Sequence, residues 1–171
     1  MSRTAGRVRV EAVAPDGVAA RAALRLYFDD VASRYYGRQA TGAEIDEALA
    51  DDPSDDLVPP DGVLLVAFVD ADVDAPATVV GCAGLRVLPG GIGEVCRVFV
   101  TTTERGGGLG AHLVAELERL ARERDVRLLR LDTRHDLVEA RRLYARLGYR
   151  EVPAFNADPY AERWFAKSLA T

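Results

Sequence analysis

Residues 93–117, GEVCRVFVTTTERGGGLGAHLVAEL, constrain this chain more than any other stretch. They run from strand-like residues through a polar turn into four glycines, then into Leu109, Leu113 and Leu117 at helical spacing. A strand feeding a glycine-rich turn that opens a helix builds a cradle for an anion. The first amides of a helix have no intrahelical partner, and the helix dipole adds partial positive charge there. Gly106, Gly107, Gly108 and Gly110 let an anion sit against backbone with no Cβ in the way. So many glycines also cost more chain entropy than close packing of a helix would require. The segment predicts a site for a phosphorylated ligand.

The rest of the chain bounds the fold around that segment. With 171 residues, 49% apolar and 29% charged, it is expected to form one soluble domain over residues 1–171. No apolar run is long enough for a membrane span, and the first thirteen residues lack a signal-peptide core, so a cytoplasmic location is expected. Cys82 and Cys96 lie in strand-like runs without a His or Cys at ligand spacing, which predicts buried thiols and no metal site. Residues 39–85 hold eleven acids and no Lys or Arg, so this stretch carries −11 while the remainder sums to +6. Such separation lets an acidic protein of net charge −5 still receive an anionic ligand.

Patterning predicts the element order β-α-α-β-β-β-α-β-α-β-β. A strand over 7–13 precedes a helix over 18–36, stopped by Gly37. Thr41 and Glu44 form a capping box for a second helix that runs to Ala50. A Pro- and Asp-rich loop over 51–62 leads to strands over 63–69, 78–87 and 94–100, with a turn at 71–76 and weak points at Gly81 and Gly84. After the glycines a helix runs to Arg124, then a strand over 127–131. Asp136 is expected to cap a helix carrying Leu137, Ala140, Leu143, Tyr144 and Leu147 and ending at Gly148. Strands over 149–152 and 163–169 close the chain.

Two segments together resemble the GNAT N-acetyltransferase superfamily. VFVTTTERGGGLGAHLVAELE is similar to its acetyl-CoA-binding motif, Arg or Gln followed by x-x-G-x-G or A, through Arg105, Gly108 and Gly110. LVEARRLYARLGYREV is similar to the family's following motif, A-x-x-x-Y-x-x-x-G-F/Y, through Ala140, Tyr144, Gly148 and Tyr149. The resemblance implies a mixed α/β fold with a twisted, mostly antiparallel sheet of about seven strands and about four helices. It covers residues 93 to the C-terminus by motif, with the acetyl-CoA-binding segment over about 93–148, and the first half only by element order.

The resemblance also implies a reaction, transfer of an acetyl group from acetyl-CoA to a primary amine by direct attack. The backbone of Val98, Phe99 and Val100 would pair with the pantetheine arm. The amides of Arg105, Gly106, Gly107, Gly108, Leu109, Gly110 and Ala111 would hold the pyrophosphate, with the Arg105 side chain adding a contact. Leu137 replaces an Asn usual in the family. An alkyl ammonium must lose a proton before it attacks. Glu94 is the expected base, directly or through water, with Glu104 a weaker candidate. Tyr144 is the expected proton donor to the leaving thiolate, and Tyr35, Tyr36 and Arg38 are candidates for the acceptor pocket.

Other readings stay open from the sequence. The domain could bind CoA as a sensor or partner module without turnover. Gly106, Gly108 and Ala111 also fit G-x-G-x-x-A, with Asp132 about twenty residues on as in a dinucleotide site. Thr101–Arg105 intervene between strand end and first glycine, however, and too few βα units follow. The acceptor is expected to be a small-molecule or peptide amine, and the acidic stretch favours a cationic one. Neither nucleic acid nor membrane is an expected partner, and a homodimer is compatible with the resemblance.

Overall fold

Residues 62–69, GVLLVAFV, carry no polar side chain, and the strand they form is buried on both faces. Val63, Leu65 and Ala67 enter the larger core, while Leu64, Val66 and Phe68 enter smaller clusters on the opposite side. Such a run marks a central strand covered twice. The structure, a computed structural model, describes residues 6–70 and 73–169. The expected turn at 71–76 begins on Ala71 and Asp72, which lie outside the described residues.

The elements are β1 (Val8–Ala12), α1 (Val18–Tyr36), α2 (Gly42–Asp51), β2 (Gly62–Val69), β3 (Thr78–Leu88), β4 (Ile92–Val100), α3 (Leu109–Glu123), β5 (Leu128–Thr133), α4 (Val138–Arg146), β6 (Arg150–Val152) and β7 (Arg163–Ser168), with a 3-10 turn over Thr102–Glu104. The seven strands form one sheet in the order β1-β2-β3-β4-β5-β7-β6. Only β4 and β5 run parallel; every other pair is antiparallel. That topology is the mixed α/β fold expected, and it excludes the doubly wound sheet of a dinucleotide-binding domain. Helices α3 and α4 lie on one face over the large core, and α1 with α2 cover the other. Among the described residues no helix is long and apolar enough to cross a membrane.

Local chemistry sets most of the boundaries. Gly37 ends α1 at φ 68°, its N–H donating to Arg34 O. Thr41 and Glu44 close the capping box on α2. Arg38 beside Glu44, together with the Thr41 amide, holds that carboxyl down to about 2. One cap differs from expectation. Asp136 does not cap α4; its carboxylate accepts from Arg134 Nε at 3.0 Å, and Leu137 occupies the N-cap without a side-chain bond. A guanidinium two residues away offers the carboxylate a charge-assisted bond, stronger than one from a neutral amide.

The apolar stripe of α3 also holds a surprise, since Glu118 is 7% exposed on it. Lys167 of β7 donates to its carboxylate at 2.9 and 3.1 Å, and the Tyr149 hydroxyl donates to it at 3.1 Å. Lys167 is the one lysine in the sequence.

Candidate active site

The sheet forks at its centre. β4 pairs with β5 only through Ile92, Gly93 and Glu94, opposite Leu128, Leu129 and Arg130. Beyond Arg130, β5 stays with β7, setting Asp132 opposite Trp164, while β4 stays with β3 as far as Val100. Val98, Phe99 and Val100 therefore lie on a stretch of β4 with no β5 partner. Thr101 N–H donates to Val80 O at 2.8 Å, so by antiparallel alternation the amide and carbonyl of Val100 face into the fork. The side chains of Val98 and Val100 pack toward α3 and α4, and Phe99 packs toward α1.

A bulge produces this divergence. The β3–β4 register passes from Cys82↔Phe99 to Gly84↔Cys96, which leaves Ala83 opposite both Arg97 and Val98. Arg97 takes φ 55°, a left-handed value for a non-glycine residue in a strand. Its side chain is 5% exposed and fully engaged. Nε donates to Ser54 Oγ at 3.1 Å, Nη2 to Asp52 O at 3.0 Å, and Nη1 pairs with the Asp52 carboxylate at 3.0 Å. The guanidinium also lies over the rings of Tyr27 and Phe28 on α1. Gly81 and Gly84, expected as weak points, border this bulge and a second register shift toward β2. Sequence reasoning missed Arg97, because a lone Arg in an alternating strand reads as a solvated residue.

The glycines of the cradle do different jobs. Gly106 and Gly108 take φ 86° and 83°, and nothing lies within 4 Å of a Cβ built at either. They supply backbone that L side chains avoid beside open space, as a close-approaching ligand requires. A Cβ on Gly107 would meet nothing nearer than Glu104 O at 3.7 Å. Gly110 serves packing, since a Cβ there would stand 3.2 Å from Leu143 Cδ2 on α4. The expectation that packing explains none of these glycines is thus corrected at Gly110. Gly108 is the N-cap of α3 without a side-chain cap, and His112 N–H is the first to bond back, to Gly108 O. The amides of Leu109, Gly110 and Ala111 precede that first bond and are left for a ligand; the Leu109 side chain belongs to the core.

Arg105 is held by the protein rather than left pointing at the glycines. Its Nε donates to Val100 O at 2.9 Å, and its other nitrogens lie 3.6 Å from Asp30 of α1 and 3.8 Å from Glu139 of α4. Arg34 pairs with the same two acids. The cluster braces α1, β4 and α4 around the mouth of the fork. Glu104 sits in the 3-10 turn outside it.

Two carboxylates line the α1 side of the fork. Leu129 and Leu131 of β5 enter the α3 core, so by strand alternation Arg130 and Asp132 face the other way. Glu94 lies opposite Arg130 in register and accepts from its Nε at 3.2 Å. Asp132 accepts from Asn156 Nδ2 at 2.8 Å, and Asn156 Oδ1 in turn accepts from Trp164 Nε1 at 3.0 Å. Partial burial, with the charges of Asp158, Glu94 and Asp52, raises the Asp132 pKa against the lowering effect of Asn156.

Tyr144 enters from the opposite layer. It is 5% exposed, packed between Tyr149 and Phe165 with ring centroids 5.7 and 6.3 Å away. Burial raises its pKa, with further contributions from Tyr27, Cys96 and Asp132. Tyr144 therefore stays protonated throughout the neutral range. Burial also pushes the Cys82 and Cys96 thiols up to about 12 and about 11. Along the rim, Tyr35 meets Tyr160 edge to face at 5.6 Å, joining the end of α1 to the β6–β7 connection. Tyr36 lies under Arg38, which is committed to Glu44.

Residues 22–149 match the acetyltransferase (GNAT) family. The chain belongs to that family. An N-acetyltransferase of Schizosaccharomyces pombe, itself uncharacterized, is 30% identical over 125 residues, covering 72% of this chain and 73% of that protein. An IAA acetyltransferase of Azospirillum brasilense is 38% identical over 86 residues, 48% of this chain and 54% of its own length. Among solved structures, an acyl-CoA N-acyltransferase of Klebsiella pneumoniae superposes with TM-score 0.69 at 26% identity, covering 95% of this chain and 98% of that one. The PaiA N-acetyltransferase of Thermoplasma acidophilum, solved in complex with coenzyme A, shares the fold with TM-score 0.73 at 13% identity, over 95% and 99% of the two chains. As a family member the protein is an N-acetyltransferase, and the open end of β4 and the glycine turn both lie in the first of the two segments that carried the resemblance, while the second forms α4 and β6.

Proposed function

We propose that this protein transfers an acetyl group from acetyl-CoA to the primary amine of a small molecule or peptide, by direct attack in the fork between β4 and β5. The observation that carries this reading is the open backbone at two adjoining places. The stretch Val98, Phe99 and Val100, without a β5 partner, offers edge groups to an extended amide-bearing arm, the Val100 carbonyl being shared with Arg105 Nε. The amides from Gly106 to Ala111 offer an N-terminal helix site for a pyrophosphate beside two Cβ-free positions. An acyl-CoA fits this pair of features, and a dinucleotide needs only the second. Acetyl-CoA supplies the activated acyl group. Arg105 contributes by bracing the mouth.

The residues of the fork divide the proton traffic. Tyr144, protonated and in the same apolar cluster as Val98, Val100 and Leu131, donates toward the departing sulfur. Glu94 is matched by Arg130 at 3.2 Å, so its charge anchors that arginine and reaches an acceptor amine only through water. Tyr35 and Tyr160 wall the acceptor side. The acids Glu94, Asp132 and Asp158 on that wall favour an acceptor with positive charge beyond its reacting amine.

Thermal unfolding with ligand, coupled to an assay of thiol release, tests the reading. Acetyl-CoA at one hundred times its dissociation constant should add about 2.7 kcal/mol. In a domain of this size that is a rise of about 5–10 °C in Tm. NAD should give a much smaller shift, and a panel of alkyl amines and peptides should include one that releases CoA thiol. A larger shift with NAD would sink the reading; a shift with acetyl-CoA but no turnover on any amine would leave a CoA-binding module.

A further inference from the structure

Asp132 first stood out in the sequence as the acid of a dinucleotide pattern that the fold excludes, which leaves an engaged carboxylate in the fork without a role. Its placement differs from that of Glu94 in one decisive respect. Glu94 has a guanidinium at 3.2 Å. Asp132 has a neutral partner only: Asn156 Nδ2 at 2.8 Å on Oδ2, with no hydrogen bond to Oδ1 among the described residues. The Asn156 amide cannot turn over freely, because Trp164 Nε1 at 3.0 Å and the Asp158 amide at 3.3 Å both donate to its oxygen. Its NH2 is thus committed to Asp132. One oxygen of Asp132 is fixed and the other is left for a ligand.

We propose that Asp132 is the catalytic residue that binds the acceptor ammonium and takes its proton, with Asn156 as its positioning residue. The inference rests on the acetyl-transfer reading and deepens it. The matching substrate class is a primary alkyl amine that arrives protonated. In the step, one N–H bond of the ammonium breaks, an O–H bond forms on Asp132 Oδ1, and the electron pair stays on nitrogen. That pair then forms the new C–N bond as the C–S bond breaks with its electrons on sulfur. A second nitrogen-bound proton is lost to water, Tyr144 gives its proton to sulfur and regains one from water, and Asp132 releases the first to solvent. The balance is ammonium plus thioester giving amide, thiol and one proton.

The charges whose fields reach Asp132 are those of Glu94 from β4, Asp52 after α2 and Asp158 from the β6–β7 connection, and Arg130 on its own strand is held by Glu94. Partial burial first, and then the charges of these acids, leave the ionised carboxylate less stabilised than usual, while Asn156 works in the opposite sense. A base whose pKa lies nearer to the working pH is a better proton acceptor.

The test uses the full chain and the variants Asp132→Asn, Glu94→Gln and Asn156→Ala, all at solvent-accessible side chains. Acetyl-CoA should raise Tm equally in all of them. Asp132→Asn should lower kcat/KM for the best amine by about 10²–10⁴-fold, and Glu94→Gln by much less. In the ligand-free protein, carboxyl carbon NMR should find Asp132 titrating above the usual value of about 3.9. Asn156→Ala removes a donor to the charged form, so it should move both that titration and the acidic limb of kcat/KM to higher pH. Near-wild-type kcat/KM in Asp132→Asn, or a larger loss in Glu94→Gln, overturns the proposal. So does an Asp132 titration that is ordinary and unmoved by Asn156→Ala. Should the wild type release no thiol with any amine, the acetyl-transfer reading fails, and the carboxyl titration alone decides whether Asp132 is poised as described.

Discussion

Gly108 and Gly110 stand two residues apart and fail in opposite ways when given a side chain. Gly108 holds φ 83° in open space, so a β-branched residue there meets backbone strain and fills the room a phosphate would need. Left-handed backbone costs a non-glycine residue about 1–2 kcal/mol. Gly108→Val should therefore lower Tm by a few degrees and reduce acetyl-CoA affinity at least ~10-fold, the order of one lost hydrogen bond to a charged group. Gly110→Ala, with its new Cβ 3.2 Å from Leu143, should instead shift α3 against α4, lowering Tm with a smaller loss of affinity. Calorimetric titration beside thermal unfolding separates the two. Equal affinity in a folded Gly108→Val would place the phosphates elsewhere.

The elements around the core are fastened by ionic contacts that bridge layers, and the most buried joins α3 to β7. Glu118 and Lys167 have side chains only 10% and 25% exposed, and Tyr149 completes the carboxylate's partners. Removing one member of a buried pair leaves an uncompensated charge, at about 3–5 kcal/mol, and we take the lower end because Lys167 reaches solvent. Lys167→Met should lower Tm by about 6–12 °C. Adding Glu118→Leu should return much of that loss, since a well-packed apolar pair often replaces a buried ion pair at little cost. Thermal unfolding of the single and double variants reads this directly; a double variant no better than the single would mean that the carboxylate was not the source of the penalty.

Across the whole molecule, the separation of charge along the chain is partly undone by folding. Of the eleven acids in residues 39–85, Glu44, Asp46, Asp52, Asp56 and Asp70 pair with Arg38, Arg25, Arg97, Arg86 and Arg9, all from outside that stretch. The loop around Asp56 thus offers a cation less than its sequence suggests. On the proposed acceptor wall, Asp132 and Asp158 are the acids without a guanidinium partner among the described residues, and their field is shortened by salt. Raising ionic strength from about 0.1 to about 1 M shrinks the screening length from about 10 to about 3 Å. KM for a polycationic amine should rise several-fold over that range while KM for a mono-amine changes little. A polycation insensitive to salt would remove the cationic preference from the proposed function.

Local signals in the chain specified most of the fold. The capping box at Thr41, the stop at Gly37, the doubly apolar run of β2 and the glycine turn before α3 each depend on neighbours within about four residues, so they could be read in order. The paired motifs through Gly108 and Tyr144 were likewise enough to point to the family. What only the tertiary structure decided are relations between distant residues. Arg97 is a buried anchor because Ser54 and Asp52 reach it from 43 and 45 residues away. Arg105 is a brace because α1 and α4 bring acids to it. Glu94 is a paired carboxylate and Asp132 an unpaired one because of register between strands and a loop that closes from the far end of the chain. Charge partners are chosen by proximity in space, and a sequence fixes that proximity only through the completed fold.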